Sequence, residues 1–126
     1  MKKLAVPVLG CTLVLTGCIA TPYQPMKSIG GYDDLQVDTN TWRIRTTVNV
    51  DSDVSRADNI AMLRAAEIAC LNDYTRFDVV EQSFSRGKSV KNANITIFLN
   101  RTGRFDAESI MNQLKGKLNA KLECSF

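Results

Sequence analysis

The chain has 126 residues, with 16 Lys+Arg against 13 Asp+Glu, 44% hydrophobic and 23% charged residues. That composition excludes a disordered or collagen-like chain and gives one domain as the expectation. Histidine is absent, which removes the commonest general base and the commonest metal ligand.

Residues 1–18 read as a targeting segment. Lys2 and Lys3 precede an apolar run, Leu4–Leu15, too short to span a bilayer, which takes about 20 apolar residues. The run ends Leu15-Thr16-Gly17-Cys18. This ending resembles the lipobox of bacterial lipoproteins, with Leu three residues before the cysteine and a small residue just before it. The resemblance implies cleavage before Cys18, a diacylglyceryl group on its sulfur and acylation of the new amine. It also implies that residues 1–17 are a signal peptide. Cys11 has a lipobox-like context too, but leaves too short an apolar run behind Lys3, so it goes with the signal. Several acyl chains suffice for stable anchoring without a spanning helix. Ile19, where Asp would direct retention in the inner membrane of enterobacteria, implies outer-membrane delivery on the periplasmic side.

Loss of Lys2 and Lys3 leaves 14 basic against 13 acidic residues, a net charge of +1. Nucleic-acid binding would need a strong basic field, so no nucleic-acid partner is expected. Cys18 being lipidated, the thiols left are Cys70 and Cys124. In an oxidising compartment they are a candidate disulfide, worth about 4 kcal/mol through the loop it would close. The alternative is two free thiols. Two cysteines without His cannot fill a zinc shell, so neither a metal nor a cofactor is expected.

Residues 18–31, with Pro22, Pro25, Gly30 and Gly31, read as a lipidated tether to a single domain over 32–126. Trp42–Val50 alternates apolar with polar residues and predicts a strand with one covered and one open face. Ser55 with Asp58 three residues on is a capping-box-like opening of a helix through Ile60, Leu63, Ala66, Cys70 and Leu71, stopped at Asn72-Asp73. Phe77–Glu81 reads as a second strand, Ser83–Ala93 as a loop and Ile95–Leu99 as a third strand. Asp106 caps a last helix carrying Ile110, Met111, Leu114 and Leu118, in which Gly116 costs about 1 kcal/mol relative to Ala. The order β-α-β-β-α, with a parallel crossover around the first helix, predicts an α+β two-layer sandwich: a small three- or four-stranded sheet with two helices on one face.

Gly31-Tyr32-Asp33-Asp34-Leu35, the Trp42–Val50 strand, Leu63-Arg64-Ala65-Ala66-Glu67 and Tyr74-Thr75-Arg76-Phe77 together resemble a family of small bacterial lipoproteins of unknown function typed on Caulobacter proteins. The resemblance covers about half of the mature chain and departs at Asn72-Asp73, where a Gly usually precedes the Tyr. It implies location and fold, and no catalytic residue.

Arg43 and Arg45 on the first strand, with Arg86, Lys88 and Lys91 in the loop, form a candidate basic face for an acidic envelope protein or anionic lipid; the plainer reading is a solvated sheet face. Arg64 and Glu67, spaced i,i+3, read as a partly exposed ion pair worth under about 1 kcal/mol. Asp33, Asp34, Asp38, Asp51, Asp53 and Asp58 could support a carboxylate-dependent hydrolase if burial separated their pKa values, but they fall in flanks, turns and caps. The expected function is therefore a non-catalytic binding or accessory module of the cell envelope. The alternatives are a lipid or glycolipid carrier and an envelope hydrolase.

Overall fold

The computed structural model describes residues 20–126. The signal segment, the lipobox and Cys18 lie outside the described residues. The elements, in chain order, are β1 (Gly30–Asp38), β2 (Thr41–Asn49), α1 (Val54–Leu71), β3 (Arg76–Arg86), β4 (Val90–Leu99), β5 (Phe105–Asp106) and α2 (Ala107–Lys117). The class is α+β, with one five-stranded sheet in the order β1-β2-β4-β3-β5, every neighbouring pair antiparallel.

This corrects the expected strand count and order. β2 and β3 do run in the same direction across α1, but they are not neighbours. β4 lies between them and is antiparallel to both. β1 adds an edge strand before β2. The expected loop over 83–93 is mostly strand: β3 runs to Arg86 and β4 starts at Val90, so only Gly87, Lys88 and Ser89 turn the hairpin.

The covered sheet face carries Ile44, Thr46 and Val48 of β2, Ala93, Ile95, Ile97 and Leu99 of β4, and Phe77 of β3, all buried. The period-two alternation of β2 predicts this sidedness. α1 packs against β2, β4 and β3, while α2 packs chiefly against α1 and β5. Ala57, Ala61, Ala65, Ala66 and Ala69 are fully buried on α1. Their small side chains let the helix approach neighbours closely, and alanine adds the best helix propensity. Phe77 stacks on Phe105 with ring centroids 5.5 Å apart.

The expected Ser55–Asp58 capping box does not form. α1 starts two residues earlier, with Asp53 rather than Ser55 at the N-cap position, and the Asp58 carboxylate accepts instead from Gln82 Nε2 at 3.0 Å. Asp106 does cap α2, accepting from the Ser109 amide at 3.1 Å. α1 stops as expected at Asn72-Asp73. Asp73 takes a left-handed φ of 62°, its amide bonds Cys70 O at 3.0 Å and the Tyr74 amide bonds Ala69 O at 2.8 Å. That is a Schellman ending with Asp where Gly is usual. α2 ends the same way, with Asn119 at φ 52°. The Cys70–Cys124 disulfide, with Cα atoms 6.1 Å apart, ties the carboxyl-terminal tail to the end of α1.

The expected tether is docked from residue 20 onward. Thr21 is fully buried and uses every polar group it has. Its amide donates to Ser52 Oγ at 3.0 Å, and its hydroxyl donates to Ile29 O at 2.8 Å while accepting from the Asn49 amide at 2.9 Å. Its carbonyl accepts from Arg56 Nε. The close fit needs glycine: Gly30 has φ 108°, and a Cβ there would overlap the Thr47 carbonyl oxygen and crowd Thr21.

Candidate functional site

The helices leave the opposite sheet face open. Strand register arranges its side chains in rows across four strands. One row holds Leu35, Arg43, Thr96 and Glu81; the next holds Asp33, Arg45, Asn94 and Ser83; the third holds Gly31, Thr47, Asn92 and Ser85.

The third row is tied together side chain to side chain. Thr47 Oγ1 donates to Asn92 Oδ1 at 2.8 Å, and Asn92 Nδ2 donates to Ser85 Oγ at 3.3 Å. In the second row Arg45 Nη2 pairs with Asp33 Oδ2 at 2.7 Å, with both side chains more than half exposed. In the first, Thr96 Oγ1 donates to Glu81 Oε1 at 3.4 Å, whereas the Arg43 guanidinium has no ion-pair partner among the described residues. Arg43, Glu81, Gln82, Ser83, Asn94 and Thr96 line a depression of about 310 Å³. Leu35 and Phe98 on this face are 61% and 40% exposed. Aligned hydroxyls and amides, one free guanidinium and two exposed apolar groups suit recognition of a partly polar partner surface.

The five basic residues grouped from the sequence do not share this face. Arg43 and Arg45 project from it. Lys91 pairs in register with Val48, and Arg86 with Lys91, so both project from the helix-bearing side. Lys91 Nζ donates there to Ser52 O at 2.6 Å. Arg86 lines a groove of about 430 Å³ with Phe84, Val54 and Asp58. Lys88 sits in the hairpin turn. With Asp33 and Glu81 beside the two arginines, the open face is mixed in charge rather than basic.

A second cluster extends well beyond the Arg64–Glu67 spacing. Glu67 is 1% exposed. Its Oε1 accepts from Tyr23 Oη at 2.6 Å and from Arg64 Nη1 at 2.9 Å, and its Oε2 accepts from the Glu123 amide. Arg64 Nε also donates to Asp34 Oδ2 at 2.7 Å, and Arg64 Nη1 lies 3.3 Å from Glu123 Oε1. The guanidinium sits 4.6 Å from the centre of the Tyr32 ring. The expected partly exposed pair is thus the hub of a buried network joining the amino-terminal segment, β1, α1 and the tail. Burial, then the Glu67 hydrogen bond and charge, push the Tyr23 hydroxyl far above the ordinary tyrosine value. Tyr32 is raised as well, by burial outweighing Arg64. Burial alone would lower Arg64, but the Asp34 hydrogen bond and the surrounding negative charge outweigh it and hold the guanidinium protonated. The network consumes its donors and acceptors internally, which is the chemistry of a clasp.

The six aspartates that could support hydrolysis are dispersed. Asp33 and Asp34 point to opposite faces of β1, each paired with a different arginine. Asp38 accepts from its neighbour's amide at 2.8 Å. Asp51 and Asp53 flank the loop into α1. Asp58, raised by burial against the lowering effect of Gln82, stands on α1. Among the described residues no three of His, Cys, Asp and Glu are grouped to hold a metal ion, and no helix is long and apolar enough to cross a membrane.

Comparison with protein-family models, with curated proteins and with solved structures finds no match to this chain.

Proposed function

We propose that the chain is a lipid-anchored, periplasm-facing cell-envelope protein of the outer membrane whose domain acts as a non-catalytic binding or accessory module. The observation that carries the binding role is the open sheet face. Four strands present ordered polar rows, the exposed Leu35 and Phe98, and Arg43, which among the described residues has no ion-pair partner; no helix of the described residues lies over them. An interface of standard size takes about 800 Å² per partner, and a face four strands wide can supply an area of that order. The lipobox-like ending at Cys18 and the resemblance of residues 31–80 to small bacterial lipoproteins support the location. A carrier of acyl chains finds less support. A groove of about 430 Å³, lined by Val54, Ser55, Asp58, Phe84, Ser85 and Arg86, is a depression open to solvent rather than an enclosed apolar cavity.

The test is photocrosslinking in the native envelope. A crosslinking residue replaces Thr96 on the open face or Gln113 on the exposed side of α2, each in full-length protein and in a Cys18→Ala variant. A defined adduct from position 96 of the anchored form, absent from position 113 and from Cys18→Ala, is the expected result. Equal labelling from both positions, or no adduct from position 96, removes the binding role of this face.

A further inference from the structure

The way residues 20–31 dock determines which end of the domain meets the membrane. This inference rests on the lipid anchor at Cys18 proposed above. Thr21 is locked into the fold by four hydrogen bonds. Three residue steps separate it from Cys18, so the two Cα atoms can be no more than about 11 Å apart. An acylated Cys18 would therefore hold the domain against the bilayer, and by one particular end.

That end gathers the turn at 27–29, the loop from β2 to α1, the β3–β4 hairpin turn and the end of α2. The register brings the start of β1, the end of β2, the start of β4 and the end of β3 together there, and Ala20 shares a groove with Lys117. Lys27, Arg86, Lys88 and Lys117 are exposed at this end. None of them is in an ion pair among the described residues, where pairing engages Arg45, Arg64 and Arg76 instead. Asp51 and Asp53, and Asp58 in the groove beside Arg86, are the opposing charges. Arg56 and Lys91 are turned inward, holding the Thr21 and Ser52 carbonyls. Between the cations stand two apolar side chains, Ile29 at 46% and Val50 at 57% exposure. Cations around exposed apolar groups, beside a lipid attachment point, match a surface of anionic headgroups over hydrocarbon.

We infer that this end is a bilayer-contacting surface: Lys27, Arg86, Lys88 and Lys117 lie on anionic phospholipid headgroups, and Ile29 and Val50 enter the headgroup layer. The domain then stands with its strands directed away from the membrane. The β1–β2 turn at Thr39 is the distal tip, and the open sheet face looks sideways into the periplasm.

The experiment uses full-length lipidated protein in vesicles of phosphatidylethanolamine and phosphatidylglycerol containing headgroup-spin-labelled lipid. An environment-sensitive dye is placed at Ser89→Cys, at the anchor end, or at Thr39→Cys, at the far end; Cys70 and Cys124 remain disulfide-bonded. The dye at position 89 is expected to shift to the blue and to be quenched several-fold more than the dye at 39. Lys27→Glu/Arg86→Glu/Lys88→Glu should shrink that difference. Raised salt should shrink it in the unsubstituted surface, which keeps the test valid if the triple variant misfolds. Equal quenching at 89 and 39 overturns the inference. So does protection of position 89 in native envelopes without quenching in vesicles, which would assign this end to a protein partner. Intact mass separates the two levels of failure: no acyl mass on Cys18 removes the anchor itself, whereas an acylated protein with equal quenching removes only the orientation.

Discussion

Tyr23 donates its hydroxyl to the Glu67 carboxylate at 2.6 Å across 44 positions of sequence. A residue five places after the proposed lipid attachment thereby reaches the most buried carboxylate of the domain. Arg64 and the Glu123 amide complete its partners, so the amino-terminal segment and the tail close on one helix.

The buried pair and the exposed pair should behave oppositely. Arg64→Met is expected to cost about 3–5 kcal/mol, because it leaves Glu67 buried without its cation. Arg45→Met, which breaks a pair with more than half of each side chain exposed, should cost under about 1 kcal/mol. Urea midpoints of the two variants check this, and similar losses would contradict the buried hub.

Alkaline pH should loosen the clasp. The Tyr23 hydroxyl is raised above the ordinary 10.0 of tyrosine by burial and then by Glu67. In the folded state it therefore holds its proton where the unfolded chain has lost it. This contribution is fully present below pH 10 and declines as pH rises further. Tyr32, also raised, adds in the same direction. Tyr23→Phe should be less stable near neutral pH by about 1.5–3 kcal/mol and should show a shallower decline above pH 10. Denaturation followed across that range reads both effects; parallel curves for the two proteins would count against it.

Reduction should free the tail. The Cys70–Cys124 bond spans 54 positions, and the entropy model gives about 4 kcal/mol for such a loop. Cys124→Ser should lower stability by about that much and make residues 119–126 exchange amide hydrogens quickly, since Glu123 would no longer be held at Glu67. An unchanged exchange rate at Glu123 would mean that the polar clasp alone holds the tail.

The helix endings can be tuned. Asp73 occupies a left-handed position at φ 62°, which glycine takes without strain and β-branched residues resist. Asp73→Gly is expected to stabilise by about 0.5 kcal/mol, and Asp73→Val to destabilise by about 1–2 kcal/mol. Melting temperatures of the pair decide it, and the same order for both would reject the backbone argument.

Legibility from the sequence followed burial. β2 and the two helices announce themselves because one face of each is apolar and covered. β1 does not: polar Asp34 lies on its inward side beside Tyr32, Leu35 and Val37 are exposed, its register shifts between Gln36 and Asp38, and aspartates guard the edge in the manner of edge strands. The hairpin arms around Gly87 carry Ser85, Arg86, Lys91 and Asn92, and Phe84 is half exposed, so no clear apolar alternation marks them as strand. The Arg64–Glu67 spacing was readable as an ion pair. Its burial was not, since Tyr23, Asp34 and Glu123 come from three distant segments. The split of the basic residues between faces depended on β4 register, which no local pattern reveals.

The central position of β4 has a consequence for biogenesis. Strands β1 and β2 leave the ribosome first, yet the inner row of β2, Ile44 and Val48, is completed only when β4 arrives about fifty residues later. Pairings this distant form slowly, and they leave apolar strands uncovered in the interval. A chain threaded amino end first across a membrane could not close its sheet until most of it had emerged. Nascent or truncated forms lacking β4 would be substrates for holdase chaperones and proteases, and a chain that has reached its last residues would escape them.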